Sequence, residues 1–99
     1  MRKEVLRQAI NTYGTHNQML KCIEECGELS RAISRILIEL SSGDGFTTEA
    51  SEENLYEEIA DVTIMLKQLV MMFQCEGKVQ VQVMLKTNRL KERLEHGEI

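Results

Sequence analysis

The chain has 99 residues, no proline, and a formal charge of −4 from 12 basic and 16 acidic side chains. That length allows one domain, here residues 1–99. An acidic balance with a pI of about 5.2 excludes a nucleic-acid backbone as the main partner, because such binding needs a basic face. Hydrophobic residues at 42% and charged residues at 28% exclude a disordered chain. No apolar run approaches the roughly 20 residues of a membrane-spanning helix, so no membrane partner is expected.

The opening residues, MRKEVLRQAI, lack the continuous apolar stretch of a secretory signal. Three cysteines, Cys22, Cys26 and Cys75, form an odd set without a CxxC pair. They read as buried free thiols in a reducing compartment, and the expected location is the cytoplasm.

Without proline nothing interrupts a long helix, and the periodicity is helical from end to end. Val5, Leu6, Ala9, Ile10 and Tyr13 predict a first amphipathic helix over about 2–13, ended by Gly14. A second helix is expected from Thr15 to about Leu40, with Thr15 and Gln18 forming a capping box. Met19, Ile23, Cys26, Ile33, Ile36, Leu37 and Leu40 would form its apolar side.

The stretch 41–48, with Gly43, Asp44 and Gly45, is the expected turn. Ser51 is the expected N-cap of a third helix running to about Cys75 and closed by Gly77. Its apolar stripe would be Leu55, Ile59, Val62, Leu66, Leu69 and Phe73. Val79 to Val83 alternates with a period of two, as a strand would, but has no partner run and flows into a helical segment. It is read as the start of a fourth helix ending near His96, which completes an all-α, four-helix arrangement.

Two acidic clusters carry the chemistry. The second helix contains Lys21-Cys-Ile-Glu24-Glu25-Cys-Gly-Glu28, and the third contains Glu57-Glu58-Ile-Ala-Asp61. Glu25 with Glu28, and Glu58 with Asp61, stand three residues apart and so project from one helix face. Carboxylates crowded beside an apolar stripe repel one another unless a cation neutralises them, and a hard divalent ion with oxygen ligands suits them. A charge run on a solvated helix face is the competing explanation.

The order E-E-x-x-E, a helix-loop-helix spacer, then E-x-x-D resembles the all-α nucleoside triphosphate pyrophosphohydrolase superfamily. That group includes MazG-like proteins, dimeric all-α dUTPases and phosphoribosyl-ATP pyrophosphohydrolases. The local contexts K-x-x-E-E-x-G-E-L at 21–29 and E-E-I-A-D-V at 57–62 are similar too, as is the tail around Lys86 and Arg89.

The resemblance covers about residues 18–97 and implies a MazG-like bundle completed by oligomerisation, as a homodimer or homotetramer. It implies that Glu25, Glu28, Glu58 and Asp61 hold Mg²⁺, with Mn²⁺ as a substitute. Hydrolysis of a nucleoside triphosphate to monophosphate and pyrophosphate would follow, with Lys21, Lys86 and Arg89 on the phosphates and Glu24 or Glu57 orienting water. A non-catalytic helical interaction module on the same scaffold is the alternative. A di-iron bundle is disfavoured because neither Glu25 nor Glu58 has histidine three residues on.

Overall fold

The computed structural model describes residues 1–97, so the last two positions of the expected domain lie outside the described residues. The chain forms α1 (Lys3–Tyr13), α2 (Thr15–Leu40), α3 (Glu49–Phe73) and α4 (Glu76–Glu95), with no strand among the described residues. Val79 to Val83 lies inside α4. A helix satisfies its own backbone groups, whereas an isolated five-residue strand cannot.

Several helix ends differ from expectation. The N-cap of α2 is Gly14, no side chain caps that end, and Thr15 is the first helical residue. The capping box does not form because Gln18 is drawn into the interior. The N-cap of α3 is Thr48 rather than Ser51, and the Ser51 N–H donates to its hydroxyl at 3.2 Å. At the other end α3 stops at Phe73, with Gln74 in the left-handed region at φ 50°. Gly77 therefore does not close α3; it lies in the first turn of α4.

α2 and α3 pack along their length as an antiparallel pair. α1 rests against both, and α4 touches only α3. The register of the pair is pinned at two places. Near the start of α2, buried Gln18 donates through Nε2 to Oε1 of buried Gln68 at 2.8 Å. Near its end, Glu39 receives the Thr48 N–H at 2.8 Å and the Ser51 hydroxyl. Ser51 is the most enclosed side chain among the described residues, at 1% exposure. These contacts hold the Glu39 carboxyl below its ordinary value, the Ser51 hydroxyl contributing most and the Thr48 N–H next.

The face of α2 that meets α3 carries Gln18, Cys22, Glu25 and Ala32. It is one residue out of step with the expected apolar side, so Met19, Ile23, Ile33, Leu37 and Leu40 are exposed. The stripe predicted for α3 divides likewise. Val62 is buried and Leu55 and Leu69 are half-buried, but Ile59, Leu66 and Phe73 are exposed. All three cysteines are free, yet only Cys22 is buried; Cys75 is half-buried and Cys26 is exposed.

No residue of α4 is buried. The Cα radius of gyration is 17.2 Å, against about 13 Å for a compact chain of this length.

Because Gln18 and Gln68 satisfy one another where water is scarce, truncating one leaves a buried amide without its partner. Gln68→Ala is expected to lose about 1–3 kcal/mol in chemical denaturation. Replacing both glutamines by leucine should recover most of that loss; equal damage from the double variant would show that the pair is not what matters there.

Candidate functional site

The pinned register decides which residues face each other between the two ends. With Gln18 opposite Gln68 and Glu39 opposite Thr48 and Ser51, the middle of α2 faces the middle of α3. Carboxylate oxygens of Glu25, Glu58 and Asp61 come within 4.8 Å of one another. Glu25 is buried, Glu58 half-buried and Asp61 exposed, so the cluster runs from the helix seam out to solvent.

Two of these carboxylates have an oxygen shielded from solvent and without a hydrogen-bond donor, Oε2 of Glu25 and Oε2 of Glu58. Such orphaned acceptors are rare, because an unmet buried oxygen costs free energy. The other Glu25 oxygen takes the Lys21 ammonium at 3.4 Å.

Glu28 is half-buried and flanks Glu58. It pairs on its outer side with Arg31 at 3.6 Å. The carboxyl of Glu58 is pushed up from the ordinary value of 4.5, first by partial burial and then by the charges of Glu28, Asp61 and Glu25. An all-oxygen donor set with unmet acceptors and mutual repulsion fits a hard cation.

The other expected site residues fall in different places. Glu24 and Glu57 are exposed beside the cluster rather than in it. Lys86 and Arg89 sit on α4, which makes no contact with α2, and both are exposed. A single chain therefore brings together Glu25, Glu28, Glu58, Asp61 and Lys21, but not Lys86 or Arg89.

Tyr13 and Phe46 are exposed beyond opposite ends of α2. At 1.5 Å per residue each lies about 15 Å or more along the axis from Glu25. His16 and His96 are exposed near helix ends, away from the cluster.

Sequence reasoning missed Gln18, Gln68 and Glu39, the residues that align the two clusters. A signal existed: Gln18 precedes Glu25, and Gln68 follows Asp61, by seven residues, which places each on the helix line of a carboxylate.

A family model for the MazG nucleotide pyrophosphohydrolase domain matches residues 14–97. The chain belongs to the MazG family. Comparison with curated proteins and with solved structures gave no match. The match leaves out all of α1 and takes in both acidic helices and α4, so the MazG domain here includes the carboxylate cluster and the helix that stands off from it. No described helix is long and apolar enough to cross a membrane.

The raised Glu58 carboxyl gives this MazG domain a pH signature. A group whose pKa rises on folding is protonated more readily in the folded chain. Metal-free stability therefore falls as pH climbs from the unfolded value near 4.5 through the raised folded value. In EDTA, Glu58→Gln should escape that fall and gain melting temperature relative to wild type across the window, measured by circular dichroism. Parallel curves would mean that Glu58 ionises alike in both states.

Proposed function

We propose that this MazG domain is a Mg²⁺-dependent nucleoside triphosphate pyrophosphohydrolase that converts an NTP or dNTP to its monophosphate and pyrophosphate. The reading is carried by one observation: three carboxylates from two helices converge within 4.8 Å, two of them with unmet shielded oxygens, in a chain of this family.

In this reading Glu25, Glu28, Glu58 and Asp61 are the cation ligands. When bound, Mg²⁺, or Mn²⁺ in its place, supplies charge compensation to the phosphates and Lewis-acid polarisation at phosphorus. That compensation lets an acidic face accept an anionic substrate.

Lys21, next to Glu25 at 3.4 Å, both orients that carboxylate and offers its remaining N–H groups to a phosphate. The exposed Lys86 and Arg89 serve the outer phosphates if α4 is brought over the site by assembly into a homodimer or homotetramer. Glu24 or Glu57, at the margin of the cluster, orients the attacking water and takes its proton. The water oxygen bonds to the α-phosphorus, the bond from that phosphorus to the α,β-bridging oxygen breaks, and pyrophosphate leaves with the electron pair. Three free thiols suit a reducing compartment such as the cytoplasm.

Purified protein incubated with a panel of nucleoside triphosphates should release monophosphate and pyrophosphate with Mg²⁺ and nothing with EDTA. Glu58→Ala should lose at least about a hundredfold in rate while its helical signal stays intact. Orthophosphate as the sole product would overturn attack at the α-phosphorus. No turnover, with no thermal shift on adding Mg²⁺, would favour the non-catalytic interaction module.

A further inference from the structure

Where the end of α3, the start of α4 and the outer face of α1 meet, the chain forms a cavity of about 310 Å³. A chain reversal builds it. Gln74, in the left-handed region at φ 50°, ends α3 and lets Glu76, the first residue of α4, fold back to Lys67. The Lys67 ammonium meets the Glu76 carboxylate at 3.6 Å. Lys3 and Arg7, four residues apart and so on one face of α1, complete the wall beside Val70 and Met71. Glu25, Glu58 and Asp61 do not line this cavity. Lys67 and Met71 stand about 9 and 15 Å along α3 from Asp61.

In a chain of net charge −4, this cavity is positive. Lys3, Arg7 and Lys67 face a single carboxylate, Glu76, which leaves two positive charges uncompensated. Among the described residues neither Lys3 nor Arg7 has an ion-pair partner. The Lys67 side chain is only 26% exposed, so salt and water screen it less than a surface lysine. Lys3 also opens α1 and Glu76 opens α4, and no side chain caps either helix. The positive ends of both helix dipoles therefore lie at the cavity, where basic side chains oppose them and an anion relieves the strain.

One phosphate group carries about −1.5 to −2 charges at pH 7, which two uncompensated cations balance. Arg7 also borders a second hollow of about 450 Å³, which shares Met71 and Gln74 with the first and adds Ile10, Asn11 and Met72. Beyond Arg7 this hollow is uncharged. Half-buried Ile10, Met71 and Met72 give it apolar surface, and Asn11 and Gln74 supply amides. Both volumes lie in the range of about 300–1,000 Å³ typical of small-molecule sites. A charged hollow joined at one arginine to an uncharged one suits a ligand with an anionic head and a neutral body.

We infer that the junction of α1, α3 and α4 binds a small phosphomonoester. Its phosphate sits among Lys3, Arg7 and Lys67, and its body lies over Ile10, Met71 and Met72. Lys67 stays tethered to Glu76, which holds its ammonium at the cavity. A free phosphate ion would fill only the charged hollow, and three cations are too few to track a nucleic-acid backbone. The inference rests on this junction alone and is independent of the chemistry proposed above.

Isothermal titration calorimetry in metal-free buffer at fixed ionic strength tests it, with inorganic phosphate and phenyl phosphate as probes. Phenyl phosphate should saturate at one molecule per chain. It should bind at least about tenfold more tightly than inorganic phosphate, because only the ester buries apolar surface. Arg7→Gln should keep the helical signal and weaken phenyl phosphate binding at least about tenfold, the usual loss for a charge-assisted hydrogen bond. Should Arg7→Gln fail to fold, Lys3→Gln gives the same reading from the first turn of α1. Lys21→Gln, at the carboxylate cluster, should bind phenyl phosphate as wild type does. No saturable binding, or equal affinity for the two probes, overturns the inference. So does a loss in Lys21→Gln without one in Arg7→Gln, which would put the phosphate at the carboxylate cluster.

Discussion

The hydrogen bond between Gln18 and Gln68 and the grip of Glu39 on Thr48 and Ser51 fix how far α2 can slide along α3. A slip of one turn would separate the two amides and leave them unsatisfied in the interior, and would detach the Glu39 carboxylate from the start of α3. With both ends held, the middle of the pair has no freedom. Glu25 must face Glu58 and Asp61 whether or not their charges favour it. The site is thus imposed by groups that carry none of its chemistry.

That imposition creates the electrostatic tension at the centre. An isolated helix would turn Glu58 to solvent, where it would ionise as any glutamate does. Here partial burial and three neighbouring carboxylates act in the same direction and raise its pKa. Lys21 meets a single oxygen of Glu25, and Arg31 meets Glu28 only on its outer side. Two shielded oxygens stay unmet. A folded chain that keeps acceptors in this state has an unfilled need for positive charge, which connects the packing of α2 and α3 with a metal-using hydrolase family.

The same pair also explains why the chain is larger than its mass suggests. Each helix has one line committed to the seam and a second line left bare, and α4 adds a helix with no buried residue. A short helical chain has too little volume to cover three faces with its own side chains. The exposed lines run beside the seam, one residue and about 100° around each helix.

Much of this was legible in the residues. Proline-free, 3.6-residue periodicity determined four helices, and the bounds of α2 agree with expectation at both ends because Gly14 and the turn-forming stretch after Leu40 punctuate it. The two acidic motifs named the carboxylates, since their three-residue spacing by itself puts each pair on one helix face. What only the tertiary structure decided was which of two adjacent apolar lines is inside. On α2 the buried line holds Gln18, Cys22 and Glu25, and the more hydrophobic line is exposed. A hydrophobicity pattern cannot choose correctly there, because the buried polar groups are stabilised by partners about fifty residues away, across the turn. Sequence alone determined the helices and singled out the candidate carboxylates. The register, and with it the meeting of the carboxylates, came from hydrogen bonds that exist only once the two helices are packed.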